Sequence, residues 1–339
     1  MKRLFALFLL ASPVAAQDIN TARRAVASEI KLAPVAKSDT YRFEEKKGEY
    51  IDLYLGDRKV LRYMNMPRDG SSKDKHEMSF KPFHHVYDPV KGETLLTNGA
   101  GLAADKSNLF PHHRGIFFAF NKVSYGKETC DVWHGRANEY VEHDKVLEAV
   151  ADDKHAVQKN ALSWHGKDGK VFANEVRTLT VTKADGGTLI DFDSVLKTDL
   201  EKVRLDGDPQ HAGFHFRAAM EVSKHGKMDT YYVRPDGVGK PGETRNWDAK
   251  GKDAKTVNVP WDACSFVIQG QRYTVLRMVN PNNPKDWRGS ERDYGRFGDY
   301  FEWDLTPKTP LHVQYRLWIQ PGEMKVEDCE KAYKDYVNK

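Results

Sequence analysis

The chain has 339 residues, of which 53 are Lys or Arg and 49 are Asp or Glu, for a formal net charge of +4. The basic residues are scattered among acidic ones without a basic stripe, which excludes nucleic acid as the expected partner. The mean hydropathy is −0.69, and no segment after the first residues is apolar for long enough to predict a membrane span.

The first residues have the pattern of a secretory signal peptide. Lys2 and Arg3 form a basic start, residues 4–10 are an apolar run, and residues 14–16 are small. The run is too short to cross a bilayer, and small residues typically precede a cleavage site. We therefore predict a signal peptide over residues 1–16, a leader over residues 17–39, and a periplasmic or extracellular location after cleavage.

From residue 40 onward the pattern is that of β-strands. The alternation in Tyr50–Leu55 breaks at Gly56-Asp57 and resumes at Val60, which predicts a hairpin. Further strands are predicted over residues 115–120, 156–164, 170–182, 188–196, 214–222, 264–268, 273–279 and 311–319. Helical spacing near the C-terminus predicts one helix through Val326, Cys329, Ala332, Tyr333 and Tyr336. These elements indicate an all-β fold: one large antiparallel β-sandwich over residues 40–339, with a C-terminal helix on its outside.

Two long segments, residues 64–81 and 232–260, lack a strand pattern. The second contains Arg245-Asn246-Trp247-Asp248. A flat Trp face beside an Arg fork suits contact with sugar rings. A surface loop whose Trp packs beneath it is the alternative explanation, so both stay open.

The three cysteines, Cys130, Cys264 and Cys329, are far apart in the sequence. No Cys-x-x-Cys zinc pattern is present. One disulfide with a free thiol, or three reduced thiols, are both compatible with this spacing.

Histidines are concentrated in Pro82-Phe83-His84-His85, Pro111-His112-His113-Arg114-Gly115 and Asp131-Val132-Trp133-His134-Gly135. Histidine can ligate a metal or move a proton near neutral pH. In the second segment, Arg114 can bind a carboxylate or an oxyanion. In the third, Asp131 can orient the ring of His134, and Trp133 can form a platform. His84 and His85 belong to no wider pattern, and we interpret them as a weaker, structural pair.

Two later segments extend this set. His211, Gly213, His215 and Arg217 alternate with apolar residues, which predicts a polar strand face that can line a concave surface. An ordinary solvated sheet face is the alternative. In Arg292–Gly298, Tyr294 can act as a general acid or base if a cation lowers its pKa, and Glu302 and Asp304 beside Trp303 are possible proton donors. An ordinary turn explains the same residues.

The segments Pro111–Gly115 and Asp131–Gly135 resemble the family labelled "methane oxygenase PmoA-like", as do His215-Phe216-Arg217 and Tyr315-Arg316-Leu317-Trp318. The resemblance runs from about the first hairpin to Trp318. It implies a secreted β-sandwich protein of uncharacterised activity, of a kind found beside carbohydrate-degrading systems; methane oxidation and copper are not carried over, because no spanning helix follows the signal. The architecture is similar to the sandwiches of aldose epimerases and polysaccharide lyases, which implies a galactose-mutarotase-like supersandwich.

The leading hypothesis is a carbohydrate-active lyase, epimerase or hydrolase that uses His-based acid–base chemistry without a cofactor. The predicted catalytic residues are His113, His134, His215 and Tyr294. The predicted substrate-binding residues are Arg114, Trp133, Arg217, Trp247 and Arg292. One alternative is an enzyme with a transition metal such as zinc or copper, whose ligands are drawn from His112, His134, His211 and His215. The other is a non-catalytic sugar-binding protein.

Overall fold

Antiparallel strands dominate the structure, a computed structural model that describes residues 39–99, 110, 112–247 and 252–338. The predicted signal peptide and all but the last residue of the predicted leader lie outside the described residues. The first eleven strands are β1 (Tyr41–Lys46), β2 (Tyr50–Leu55), β3 (Arg58–Met64), β4 (Phe83–Val86), β5 (Ile116–Phe120), β6 (Lys122–Tyr125), β7 (Glu128–Cys130), β8 (Tyr140–Ala151), β9 (His155–His165), β10 (Val171–Ala184) and β11 (Gly187–Lys197). The remaining described strands are β12 (Val203–Asp206), β13 (Ala212–Arg217), β14 (Tyr231–Arg234), β15 (Gly237–Val238), β16 (Trp261–Ile268), β17 (Gln271–Val279), β18 (Arg288–Arg292), β19 (Arg296–Tyr300), β20 (Trp303–Leu305) and β21 (Leu311–Pro321).

These strands form three sheets. The eight-stranded sheet has the order β1-β2-β3-β4-β5-β13-β19-β18, and the nine-stranded sheet has the order β15-β14-β16-β17-β21-β11-β10-β9-β8. A four-stranded sheet has the order β20-β12-β6-β7. The predicted hairpin is present: β2 and β3 pair in antiparallel register, with Tyr50 opposite Met64 at one end and Leu55 opposite Arg58 at the other. The prediction of an all-β antiparallel sandwich is confirmed.

The two larger sheets pack face to face through aromatic side chains. The ring of Phe214 in β13 stacks on Tyr315 in β21 with centroids 4.2 Å apart, and Phe118 in β5 contacts Phe192 in β11. Along β11 buried and partly exposed residues alternate, as expected for a strand with one face on the core. Removal of these apolar side chains from water is the main favourable contribution to this packing.

The central strands of the eight-stranded sheet are buried on both faces. Every residue of β5 and β13 is buried. On the face turned away from the nine-stranded sheet, Trp133 covers Phe117 and His215, with ring centroids 4.7 and 4.8 Å away. The segments that carry the histidines therefore lie over this second face.

Three α-helices are described: α1 (Lys73–Ser79), α2 (Met220–Lys224) and α3 (Val326–Val337), together with short 3₁₀ turns at Lys227–Asp229 and Ala254–Thr256. Helix α3 confirms the predicted C-terminal helix; it buries Cys329, and Glu330 accepts a hydrogen bond of 2.8 Å from Trp261 Nε1. The strand predicted over residues 214–222 is too long, since the chain leaves the sheet after Arg217 and turns into α2. None of the described helices is both long and apolar enough to cross a bilayer.

The three cysteines are buried and free of disulfide bonds. Burial raises the pKa of the Cys130 thiol to about 12, which keeps it protonated and unreactive. The alternative of three reduced thiols is therefore the one that this structure contains.

Candidate functional site

The segment His112-His113-Arg114-Gly115 enters the site over the start of β5. The N–H of His113 donates to the carbonyl of Phe110 at 2.9 Å, which forms a turn. Gly115 then adopts a φ of +49°, and an added Cβ would lie 2.0 Å from the carbonyl oxygen of His84. Only glycine permits this approach of two backbones, so Gly115 determines where the two preceding histidines lie. Pro111 is not among the described residues.

The segment Asp131–Gly135 makes a turn closed by Asp131. The N–H of Gly135 donates to the carbonyl of Asp131 at 2.9 Å, and the N–H of His134 donates to its carboxylate at 3.0 Å. Nδ1 of His134 donates to the same carboxylate at 2.7 Å. The carboxylate therefore orients the ring and leaves Nε2 of His134 as the free nitrogen.

The segment from Asp208 to His211 repeats this arrangement of a carboxylate and an imidazole. The N–H of His211 donates to the carbonyl of Asp208 at 3.0 Å, and Nδ1 of His211 donates to its carboxylate at 2.9 Å. Asn121, at the end of β5, donates to the other oxygen of Asp208 at 2.8 Å. Burial raises the pKa of Asp208, but the bonds from His211 and Asn121 outweigh this and hold it below its usual range.

Three imidazoles meet where these segments converge. His112, His134 and His211 each place one ring nitrogen within 4.8 Å of the others. The ring centroid of His134 lies 4.4 Å from that of His112 and 4.9 Å from that of His211. Burial, followed by the neighbouring imidazoles, lowers the pKa of His112, which favours its neutral form. We call this group the histidine triad; it is the described set of residues that could hold a metal ion.

The predicted catalytic residues lie at different depths around the triad. His113 is 1% exposed, lies 4.3 Å from His112 between ring centroids, and stacks beside Tyr294 at 6.5 Å. His215 lies beneath Trp133, and its Nε2 donates to the carbonyl of Ala212 at 2.9 Å. Burial lowers the pKa of both His113 and His215 well below the ordinary value. His215 is outside the triad, although the metal hypothesis named it as a possible ligand.

The three predicted binding arginines are not brought into one cleft. Arg114 is buried, with its guanidinium 4.4 Å above the ring of Phe80. Arg217 is also buried; it lies over the ring of Tyr294 at 4.6 Å and donates to the carbonyl of Ala218. Arg292 lies at the end of β18. The first two arginines thus hold neighbouring segments in place, and the predicted polar row is covered instead of open.

Trp133 is fully buried and forms the floor of the site. Its ring contacts His113, His211 and His215 edge-on, at centroid distances of 5.7, 6.1 and 4.8 Å. Its carbonyl accepts a hydrogen bond of 2.6 Å from Nζ of Lys81. Trp133 therefore lies between His215 on one side and His113 and His211 on the other, and does not present an open face for stacking.

Beside the triad lies an open cleft of about 470 Å³. Its described lining consists of Gly207, Asp208, Pro209, Gln210, His211, Trp247, Arg288, Tyr300 and Glu302. The guanidinium of Arg288 lies 4.8 Å above the ring of Trp247 and donates to Glu302 at 3.0 Å. We call this the Trp247 cleft; His211 belongs both to its wall and to the triad.

The acidic groups near this cleft are ion-paired. Glu302 is bound by Arg288 and Arg204, and the bond from Arg288 is the largest cause that lowers its pKa. Asp304 is paired with Lys202 at 2.9 Å, which likewise lowers its pKa. A proton donor needs a raised pKa; the shifts therefore oppose the hypothesis that Glu302 or Asp304 donates a proton.

A second cavity, of about 270 Å³, lies between β14, β18 and the segment before β16. Its charged groups neutralise one another: Arg234 pairs with Glu291, Arg245 with Asp236, and Arg277 with Asp262. It contains no histidine among its lining residues. The chemistry of this cavity is therefore less reactive than that of the triad.

The sequence contained a signal for the triad that the sequence interpretation used for Asp131 and His134 but not for Asp208 and His211. Asp131 precedes His134 by three residues, and Asp208 precedes His211 by the same spacing. In both pairs the carboxylate orients the imidazole, although the same spacing in Asp152–His155 lies outside the triad. Arg288 and Tyr300, by contrast, reach the cleft only through the pairing of β18 with β19, and no local pattern in the sequence marks them.

Comparison with solved structures finds proteins of similar chain path at low identity. The galactosidase domain of the α-galactosidase–sucrose kinase AgaSK matches with 8% identity and a TM-score of 0.43, over 83% of this chain and 42% of its own. The α-galactosidase from Lactobacillus brevis matches with 9% identity and a TM-score of 0.41, over 84% of this chain and 39% of its own. A galactose mutarotase related enzyme from Lactobacillus acidophilus matches with 9% identity and a TM-score of 0.35, over 84% of this chain and 98% of its own.

The chain thus spans about two fifths of the length of both galactosidase structures. Similarity at these scores carries no argument about the activity of this chain. No curated protein matches the sequence.

A family model does match, over residues 50–334, and it describes a family of unknown function, DUF6807. The resemblance to the "methane oxygenase PmoA-like" family is therefore wrong, because the model that covers most of the chain is a different one. Short segments such as His112-His113-Arg114-Gly115 were too few to distinguish between families of β-sandwich proteins. On the extent of the match, the chain belongs to the family of unknown function DUF6807.

Proposed function

We propose that the protein is a carbohydrate-active enzyme that binds a sugar in the Trp247 cleft and transforms it at the histidine triad. The observation that carries this proposal is the position of His211, which lines the cleft and also lies in the triad. A ligand in the cleft therefore contacts a reactive imidazole.

The walls of the cleft have the chemistry that a sugar requires. Trp247 offers a flat apolar surface for the C–H face of a pyranose ring. Arg288 supplies donors for hydroxyl groups, and Glu302 supplies acceptors, since its lowered pKa keeps it ionised. The 3.0 Å bond between these two side chains holds them in place before a ligand arrives, which reduces the entropic cost of binding.

The proposed reaction is proton transfer at a sugar carbon, as in a lyase or an epimerase. Hydrolysis usually needs two carboxyl groups, one of them protonated, and the carboxylates of Glu302 and Asp304 have lowered pKa values. The triad instead offers nitrogens that are oriented by Asp131 and Asp208. Galactosidase and mutarotase-related enzymes among the similar structures agree with a sugar substrate, but their low scores add no weight.

A panel of oligosaccharides and uronic-acid polysaccharides, with products identified by mass spectrometry and NMR, tests the proposal. We expect turnover of at least one glycan, and a loss of about 100-fold or more in His211→Asn. His225→Asn is the matched control, because His225 is exposed and follows the last residue of α2 as its C-cap. Binding without product, unchanged in His211→Asn, would instead indicate a non-catalytic sugar-binding protein and would overturn the enzymatic proposal.

We also propose that the protein works outside the cytoplasm, after removal of residues 1–16. The basic start followed by a short apolar run supports export. N-terminal sequencing of the protein from the culture medium or periplasm should begin at Gln17. Recovery of the uncleaved chain in the cytoplasmic fraction alone would contradict this location.

A further inference from the structure

The nitrogens of the histidine triad lie close to the spacing that one metal ion requires. The three ligand atoms are within 4.8 Å of one another. Two nitrogens on one tetrahedral zinc ion are about 3.3 Å apart, so ring movements of about 1 Å would bring them to the ion. Turns supply His112 and His134, and a bend before β13 supplies His211.

Two of the three rings are held in the orientation that metal ligands need. Nδ1 of His134 and Nδ1 of His211 donate to Asp131 and Asp208 at 2.7 and 2.9 Å. This directs the lone pair of each Nε2 away from the carboxylate. Carboxylate–histidine pairs of this kind orient the ligands of metal sites and raise their basicity.

The third ring carries an unsatisfied atom. Nε2 of His112 is buried and has no hydrogen-bond partner among the described residues. Leaving such a polar atom unpaired is unfavourable, and a bound ion would remove that penalty.

The surroundings tolerate a cation. Nζ of Lys81 lies 5.0 Å above the ring of Trp133 and donates to its carbonyl. The other described contacts of this amine are with the rings of Phe80 and Phe117. The carboxylates of Asp131 and Asp208 supply negative charge directly behind two of the rings.

We propose that His112, His134 and His211 bind one divalent transition-metal ion of the zinc class, with an open coordination position towards the Trp247 cleft. Three protein ligands with a free position are typical of catalytic sites, and imidazole ligands suit zinc, copper, iron and nickel. Metal binding itself does not depend on the proposed function. Only the catalytic role of the ion rests on it: a bound ion would polarise an oxygen of the sugar. With the ion bound, His134 and His211 are its ligands, so the proton transfer proposed above would be promoted by polarisation of the sugar oxygen in place of direct proton abstraction by these two rings.

Metal titration of the full chain, stripped with a chelator, tests this without any sugar. We expect one equivalent of Zn²⁺ by calorimetry, and a visible spectrum of low-coordinate Co²⁺ with the same stoichiometry. His134→Gln and His211→Gln should each weaken Zn²⁺ binding by about 100-fold or more, and Asp208→Asn by about 10- to 100-fold.

The chain offers a matched control for the carboxylates. Asp152 and His155 have the same Asp-x-x-His spacing and lie 3.2 Å apart, and both side chains are about half-exposed, but neither belongs to the triad. Asp152→Asn should leave Zn²⁺ binding unchanged. If the histidine variants do not fold, Asp208→Asn, whose carboxylate is half-exposed, provides the decisive comparison with Asp152→Asn.

The possible outcomes separate this proposal from the proposed function. Substoichiometric binding, or binding that is equal in Asp208→Asn and Asp152→Asn, would overturn the metal site even if glycans are still converted. One equivalent of Zn²⁺ that depends on Asp208, without turnover of any glycan, would support the metal site and overturn the carbohydrate reaction.

Discussion

Arg277 in β17 donates from Nη1 to the carboxylate of Asp299 in β19 at 2.5 Å, and thereby joins the nine-stranded sheet to the eight-stranded sheet. Both side chains are buried. Asp262 accepts a second bond from Arg277 at 2.8 Å, and the hydroxyl of Tyr315 donates to Asp299 at 2.8 Å. The charges in this network are therefore satisfied without water.

Loss of Arg277 should be strongly destabilising. Arg277→Met leaves the carboxylates of Asp262 and Asp299 buried without a cation, which costs about 3–5 kcal/mol. Urea denaturation measures this loss. Lys331→Met is the control, because Lys331 pairs with Asp335 in the solvent-exposed part of α3. The urea midpoint of this variant should equal that of the wild-type chain. A loss below about 1 kcal/mol for Arg277→Met would mean that the network contributes little.

Gly115 should tolerate no side chain, although its φ resembles that of an ordinary turn glycine. Gly115 and Gly126 have φ values of +49° and +55°, but an added Cβ meets the His84 carbonyl at the first and nothing within 4 Å at the second. Gly126→Ala should cost about 1–2 kcal/mol from backbone strain alone. Gly115→Ala should cost about 1–3 kcal/mol more, from overpacking. Thermal and urea unfolding of both variants measure the difference; equal losses would contradict the clash.

The sequence predicted more of the fold than of the site. Alternation along residues 188–196 and 311–319 predicted β11 and β21, because each has one face on the core. The alternation could not predict that β13 is buried on both faces. Trp133, which covers His215 of β13, comes from a segment about 80 residues away in the chain. The alternation of apolar and polar residues shows which residues share a face of a strand, but it does not show which other segment covers the polar face.

The site shows the same limit. Histidine content led to His112, His113 and His134, and local spacing linked Asp131 to His134. Which of these rings meet depends on tertiary contacts, such as that between His134 and His211. The roles predicted for His113, His134, His215 and Tyr294 stay predictions, because activity has to be measured to assign them.

The stability of the protein should fall as the pH drops below about 6.5, the ordinary pKa of histidine. Burial lowers the pKa of His84 well below that value and the pKa of His85 to about 3, so both are neutral when folded. The unfolded chain takes up these protons below pH 6.5, and each such histidine then costs about 1.4 kcal/mol of stability per pH unit. That contribution is fully present above pH 6.5 and is lost on acidification.

His84→Phe isolates this effect, because the ring of His84 stacks on Tyr63 at 4.6 Å and a phenyl ring can keep that contact. Between pH 6 and pH 5, the variant should lose about 1.4 kcal/mol less stability than the wild-type chain. Urea unfolding at pH 7, 6 and 5 measures the slope. His225→Phe, at an exposed position, should keep the wild-type slope; identical slopes for all three proteins would contradict the prediction.

Trp247→Ala should weaken sugar binding more than it slows the reaction. Trp247 lines the cleft but lies outside the triad, so its loss removes a stacking surface that contacts the substrate before and during reaction. We expect KM to rise by about 10-fold, equivalent to about 1.4 kcal/mol, while kcat changes little. Steady-state kinetics on the glycan identified by the panel measure both constants. A fall in kcat with KM unchanged would place Trp247 elsewhere in the mechanism.

The position of β21 has a consequence for the order in which the molecule can be made. β21 is the middle strand of the nine-stranded sheet, between β17 and β11, yet it is formed by residues 311–321, which follow every other described strand in the sequence. Until then, β8–β11 and β14–β17 are two separate half-sheets, each with an unpaired edge that is open to aggregation. A chain truncated before residue 311 therefore loses the central strand of the nine-stranded sheet, and this sheet cannot be completed until residues 311–321 have been synthesised.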